Sequence, residues 1–192
     1  GAGAGAGAAA AVLLLNAVVG AIGDSVTYPA EDAPKRSSLK DVLALVEAMK
    51  AGRVDCLLIH DLNPVFSLPA SAGFAEALSK VGLVVSFASL EDETSAVAGM
   101  LLPDHTPMES WGDASPRPGV RSLVQPTIRP LQDTQALADT LLGVARAMGG
   151  NVAGQLPEGD WKSIVEANWS GTSWHQALAR GGVFEATPTR TV

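Results

Sequence analysis

One cysteine, one tyrosine and three histidines in 192 residues leave little room for many familiar chemistries. With only Cys56, the chain cannot form an intrachain disulfide, a zinc ribbon or a complete iron–sulfur ligand set. Cys56 lies in the apolar run Val54-Asp55-Cys56-Leu57-Leu58-Ile59, which predicts a buried, inert thiol. His60, His105 and His175 are too dispersed for metal spacing, and neither His-Glu-x-x-His nor a paired-cysteine motif occurs. Basic residues are scarce as well. Thirteen Lys and Arg against 20 Asp and Glu give a net charge of −7, and no basic cluster interleaves with aromatics, so nucleic acid is excluded as a partner. Ser110 lacks a Gly-x-Ser-x-Gly elbow, and Gly20-Ala21-Ile22-Gly23 follows no visible strand, so hydrolase and dinucleotide-binding readings find no support.

Apolar residues make up 47 % of the chain, enough for an α/β domain of ordinary size. The opening Gly1-Ala2-Gly3-Ala4-Gly5-Ala6-Gly7 begins without methionine and reads as an uncertain loop at the start of a fragment. Ala8 to Ile22 is nearly all apolar but has no basic flank and holds Asn16. A helix buried under a sheet is expected there, with no membrane span. Leu39, Val42, Leu43, Leu45, Val46 and Met49 recur at helical spacing, with Ser37 or Ser38 to cap the start and Gly52 to close the end. Val54 to Ile59 and Leu83 to Phe87 read as strands buried on both faces of a parallel sheet, joined through a helix from Ser71 to Lys80. A shorter strand is expected near Met100 to Leu102. In such sheets ligands collect outside the carboxyl ends of the strands. His60-Asp61-Leu62-Asn63-Pro64 and Ser89-Leu90-Glu91-Asp92-Glu93-Thr94 fall there. Asn63 before Pro64 makes a rigid turn or presents an amide to a ligand.

Pro103 to Pro130 is rich in proline, and with Arg117, Arg121, Arg129 and Trp111 it reads as an ordered loop, either suited to a protein interface or anchored by Trp111 to its own core. Val120 to Val124 is expected to add a short edge strand. His105 with Asp104 and Glu109 could form a small titratable cluster. Asp133 or Thr134 is expected to cap a helix lined by Leu137, Leu141, Val144, Ala145 and Met148, which would cover the sheet before Gly149-Gly150 stops it. The predicted organisation is an α/β domain over residues 1–150 and a helical and extended tail over 151–192. Trp161, Trp169 and Trp174 of that tail, with a helix from Thr172 to Arg180, would dock on the domain or grip a partner subunit.

The succession Leu15-Asn16-Ala17, Gly20, Gly52-Arg53-Val54-Asp55, Asn63-Pro64, Glu93-Thr94, Leu102-Pro103 and Glu109 then Gly112 resembles the molybdopterin oxidoreductase family. Asn63-Pro64-Val65, Phe74-Ala75-Glu76-Ala77-Leu78, Glu91-Asp92-Glu93-Thr94-Ser95-Ala96 and Glu109-Ser110-Trp111-Gly112-Asp113-Ala114 are similar, more narrowly, to the molybdopterin-oxidoreductase-like subunit of bacterial alternative complex III. The resemblance implies a Rossmann-like three-layer domain built on a parallel sheet. It also implies a peripheral subunit on the periplasmic side of the inner membrane, beside iron–sulfur, haem c and quinol-binding membrane subunits of a respiratory complex. Departures from the catalytic members matter too. Ala98-Gly99 stands where they carry Ala-Asp, and Gly112-Asp113 where they carry Gly-Thr. A carboxylate near a phosphate-rich pterin would repel it by about 1 kcal/mol or more. The resemblance therefore implies a noncatalytic, structural chain with no cofactor of its own. The alternatives are a fragment that holds molybdopterin guanine dinucleotide through Asn63, Glu93 and Thr94, or a stand-alone domain binding a small ligand.

Overall fold

The structure, a computed structural model, describes residues 5–29, 37–171, 173–186 and 189–190. Expectations for residues 1–4 of the opening loop, for Thr172, and for 187–188 and 191–192 of the tail lie outside the described residues. The first helix, α1 (Ala6–Val18), forms where alanine and leucine favour it. It is not buried under a sheet. None of its residues is buried, and Leu14 is 67 % exposed. Apolarity on every side specifies that α1 seeks cover without specifying what supplies it. No helix among the described residues is long and apolar enough to cross a membrane.

A short strand, β1 (Tyr28–Pro29), leads to α2 (Leu39–Lys50). Ser38 caps that helix reciprocally: its hydroxyl accepts from the Asp41 amide, and the Asp41 carboxylate accepts from the Ser38 amide at 2.7 Å. Gly52, at φ +65°, takes the left-handed turn that ends it. Next come β2 (Cys56–Ile59), α3 (Pro64–Ser67), α4 (Phe74–Leu78), β3 (Leu83–Ser86) and β4 (Met100–Leu101). The three strands form a parallel sheet in the order β2-β3-β4, with Cys56 opposite Leu83 and Val85 opposite Met100. All three lie where the sequence places them, slightly shorter.

One face of this sheet is covered by α2 and α4, through a core of Val46, Met49, Ile59, Phe74, Ala77, Leu78, Val81 and Val84. The other face is covered only in part: Val85 of β3 is buried there, as expected of a sheet buried on both sides, whereas Leu58 and Met100 are exposed. Strand alternation sends Leu57 and Ile59 toward the helices and Cys56 and Leu58 the other way. Cys56 is accordingly exposed, and the expectation of a buried thiol fails because a continuous apolar run hides which face each residue takes.

Pro103 to Pro130 is more than a loop. It folds into a hairpin of β5 (Gly112–Arg117) and β6 (Val120–Val124). The prolines hide it, yet Pro116 and Pro118 are tolerated on an outer strand and at the turn, where the register shifts between Ala114 and Arg117. Beyond it stand α5 (Leu137–Met148), α6 (Gly150–Gly154), α7 (Trp161–Asn168), α8 (Trp174–Arg180), β7 (Gly182–Phe184) and β8 (Thr189–Arg190). The strand β8 pairs antiparallel with β1. The order β5-β6-β7 makes Val120–Val124 a central strand, not an edge. It also places β7, from the expected tail, in one sheet with residues before 150. Gly182 is required where β7 meets β6, because a Cβ there would collide with the Arg121 carbonyl oxygen.

The last correction concerns α5. It starts after Ala136, no side chain caps it through that residue, and none of its residues is buried. It packs beside α6 and α7. Thr134, an expected cap, is taken by His105, and the Leu137 amide is bound by Asp104 instead.

Candidate functional site

The loops after β2, β3 and β4 converge on a cleft of about 540 Å³. His60 to Asn63 leave β2, Phe87 to Asp92 leave β3, and Asp104, His105, Pro107 and Ser110 close the far wall. This is the strand-end position that the sequence indicates. Asp61 bends the first loop at φ +51°, a left-handed conformation that costs about 1 kcal/mol or more outside glycine and suits Asp better than most residues.

Asn63, Glu93 and Thr94 are brought together here, and they bind one another. The Asn63 Nδ2 donates to Glu93 Oε2 at 2.6 Å. Its Oδ1 accepts from the Thr94 hydroxyl at 2.7 Å and from the Phe66 amide at 3.3 Å, which caps α3. The Thr94 oxygen in turn accepts from the Val65 amide at 3.0 Å, and Thr94 is fully buried. The cluster clamps the β2 loop to the β3 loop. Asp92 is similarly committed, its Oδ1 accepting from the Ser95 amide at 2.7 Å.

A second hub was not foreseen from the sequence. His60 Nε2 lies 2.7 Å from Asp104 Oδ2, across the end of the intervening strand. Asp104 Oδ1 accepts from the His105 and Leu137 amides, and the Ser89 hydroxyl donates to the Asp104 carbonyl at 3.1 Å. One carboxylate thus joins the loops after β2 and β4 to the start of α5. The signal was present in part: His60 and Asp104 each follow a strand of the same parallel sheet. Their partnership needed the strand order.

Glu109, expected beside His105 and Asp104, works as a latch. Its Oε2 accepts from the Thr106 amide at 2.8 Å and the Thr106 hydroxyl at 2.9 Å, and its Oε1 accepts from the Leu131 amide at 2.8 Å. The Thr106 amide, then the Leu131 amide, the Thr106 hydroxyl and the charge of His105 hold its carboxyl below the usual value, against a smaller opposing effect of burial. The folded-state pKa is therefore depressed relative to the unfolded chain. Its stabilisation should be present above the ordinary glutamate range and be lost as pH falls through the folded value. Urea midpoints followed down into the acid range should fall more steeply for the native chain than for Glu109→Gln. Parallel curves would remove this role.

The interface candidates assemble around a second core of Leu123, Val165, Trp169 and Ala177. Trp169, expected at a partner, is 1 % exposed, and its Nε1 donates to Asp113 at 3.0 Å. Arg121 lies over its ring at 4.4 Å from the centroid and donates to the Asn168 carbonyl. Asp113 is thereby committed to the second core and does not line the cleft, so the repulsion expected of it is not exerted there. Trp161 Nε1 donates to the Trp111 carbonyl at 2.9 Å, and the Trp111 and Trp174 rings are 5.9 Å apart. Lys162 lies 5.2 Å from the Trp111 centroid. Arg117 remains exposed on β5.

Chemically, the cleft presents Asp61, Glu91, Asp92 and Asp104, with no lysine or arginine in its lining. It can accept hydrogen bonds readily, and the basic side chains in its lining are the imidazoles of His60 and His105. Among the described residues, no group of three or more His, Cys, Asp or Glu is placed to hold a metal ion.

Comparison with known proteins finds a relative in Nitratidesulfovibrio vulgaris, the menaquinone reductase, molybdopterin-binding-like subunit. The two are 29 % identical over 140 residues, which is 71 % of this chain and 18 % of that protein. This chain therefore spans less than a fifth of the relative's length. No protein-family model matches the chain. Its similarity is to a molybdopterin-oxidoreductase-like subunit.

Proposed function

We propose that this chain is a noncatalytic, structural part of the large peripheral subunit of a quinol-oxidising respiratory complex of the alternative complex III kind. It supports an iron–sulfur electron-transfer region whose clusters, like the haem c groups, belong to other parts of the assembly. Its partners are the iron–sulfur, haem c and quinol-binding membrane subunits, and its place is the periplasmic side of the bacterial inner membrane. In the assembled subunit the parallel sheet is the middle of a Rossmann-like three-layer domain. The similarity to a molybdopterin-binding-like subunit of a menaquinone reductase supports the quinone-linked part of this reading.

The carrying observation is the self-satisfied Asn63–Glu93–Thr94 cluster beside an acidic cleft. A pterin guanine dinucleotide needs donors and positive charge for its phosphates. Here the amide and hydroxyl that would serve it are spent on each other, and the lining offers carboxylates. At about 4 Å, a phosphate and a carboxylate repel by about 4 kcal/mol in a partly screened site. The residues present do not fit that group. The alternative, a fragment that still helps to hold the dinucleotide, draws on the convergence of Asn63, Glu93 and Thr94 at the strand ends.

An affinity tag on the native subunit tests the assignment. The chain should co-purify with haem c and iron–sulfur centres that a quinol reduces. Recovery of the chain without any redox-active partner would overturn it.

A further inference from the structure

The polar groups that line the strand-end cleft divide into those bonded within the chain and those left over. Asp104 spends both carboxylate oxygens, one on His60 and the other on the His105 and Leu137 amides. Asp92 accepts from the Ser95 amide, and His105 Nδ1 meets the Thr134 hydroxyl at 2.7 Å. The Ser110 hydroxyl donates to the Thr106 carbonyl at 3.0 Å, and Asn63 is held by Glu93 and Thr94. The carboxylates left over are those of Asp61 and Glu91, which make no hydrogen bond or ion pair among the described residues. Both residues are exposed.

Much of the remaining wall is apolar, formed by Leu62, Phe87, Ala88, Leu90 and Pro107. Leu62, next to Asp61, is 70 % exposed, and Leu90, next to Glu91, is 83 % exposed. Each unspent carboxylate therefore has a bare leucine beside it, one pair on the loop after β2 and one on the loop after β3. The Asn63–Thr94 bond fastens these two loops together, and the His60–Asp104 contact ties them to the segment after β4. The cavity, about 540 Å³, is thus preformed and within the volume range of ligand sites.

We infer that the cleft receives a basic side chain on a loop of a partner subunit, its ammonium or guanidinium pairing with Asp61 and Glu91 while apolar neighbours close over Leu62 and Leu90. This rests on the functional reading above, which places the chain in an assembly. Three features select the occupant. The unspent carboxylates are acceptors only, so the ligand must bring donors. The lining holds four carboxylates and no lysine or arginine, so a cation is drawn in and a phosphate is repelled. A free amine would leave the two leucines in water, whereas a polypeptide that carries its cation on an apolar stem covers them.

The double variant Asp61→Asn, Glu91→Gln tests this in the tagged native assembly. Both positions are exposed, and Asn, like Asp, tolerates the φ of +51° at position 61, so the fold is kept. Retention of partner subunits should fall at least ~10-fold near physiological salt, and the decline that the native chain shows on raising salt should flatten. Leu90→Ser should weaken retention about 5-fold and leave the salt dependence unchanged. Carbodiimide with glycinamide should label Asp61 and Glu91 at least ~10-fold more slowly in the assembly than in the isolated chain. Unchanged retention and salt dependence in the double variant, with haem c and iron still recovered, would overturn this inference and leave the functional assignment standing. Recovery of the native chain without any redox-active partner would overturn both. Slow labelling in the assembly with unchanged retention would assign the loop to the same subunit, against this inference. Protection of the isolated chain by millimolar L-arginine methyl ester, with none in the assembly, would replace the partner loop with a free amine.

Discussion

Trp169→Ala is expected to lower the unfolding free energy by about 3–5 kcal/mol, the range for removing a large aromatic from a packed core. Trp169 is almost fully buried against Leu123, Val165 and Ala177, and it joins the hairpin to the C-terminal helices. Its loss opens a cavity, leaves Asp113 without its indole donor and removes the ring under Arg121. The other core, around Val46, Met49 and Val84, shares no residue with it. Urea unfolding of the variant should therefore become biphasic, with the β5-β6-β7 unit melting first. Trp169→Phe, which keeps most of the volume and loses the hydrogen bond, should cost about 1–2 kcal/mol. A single transition with an unmoved midpoint in Trp169→Ala would show that the second core does not depend on this residue.

Thr94→Val should have the next largest effect, about 1–3 kcal/mol. The shapes nearly match, so packing is kept. What changes is that the half-buried Val65 amide loses its partner, at about 1–3 kcal/mol, while the Asn63 carbonyl oxygen keeps only the Phe66 amide. Thr94→Ser restores the hydroxyl and should recover most of the loss. Chemical denaturation measures both. The same pair of variants separates a structural clamp from a ligand site: a clamp alters stability and leaves the electron-transfer rate of correctly assembled complexes unchanged. If Thr94→Val lowered that rate at unchanged stability, the clamp reading would fail.

How much of this was legible from the residues depends on how local the information is. The helix Leu39–Lys50 was, because its apolar stripe, the Ser38 cap and the Gly52 stop all act within a turn or two. The three strands and the convergence of Asn63, Glu93 and Thr94 at their ends were legible for a related reason: sheet order fixes where consecutive loops emerge. Facing was not. In Val54 to Ile59 every position is apolar except Asp55, so nothing local says that Leu57 and Ile59 go inward while Cys56 and Leu58 go outward. The same holds for α1, whose apolarity announces burial but names no partner. The hairpin was hidden by Pro116, which is allowed because β5 is an outer strand, and by Pro118, which falls in the turn. The pairs His60–Asp104 and Asp113–Trp169 span 44 and 56 positions, beyond any local pattern. Three tryptophans close in sequence could equally serve a partner or a private core, and only burial decides for Trp169.

With Asn63, Glu93 and Thr94 bonded to one another at the strand ends, the proposed function requires that no pterin is held there. The most direct measurement is metal and pterin analysis of the purified assembly, with elemental analysis for iron, molybdenum and tungsten beside fluorescence of the oxidised pterin. Iron with haem and no pterin is the expected result. Molybdenum or tungsten in stoichiometric amount, accompanied by pterin assigned to this chain, would contradict it.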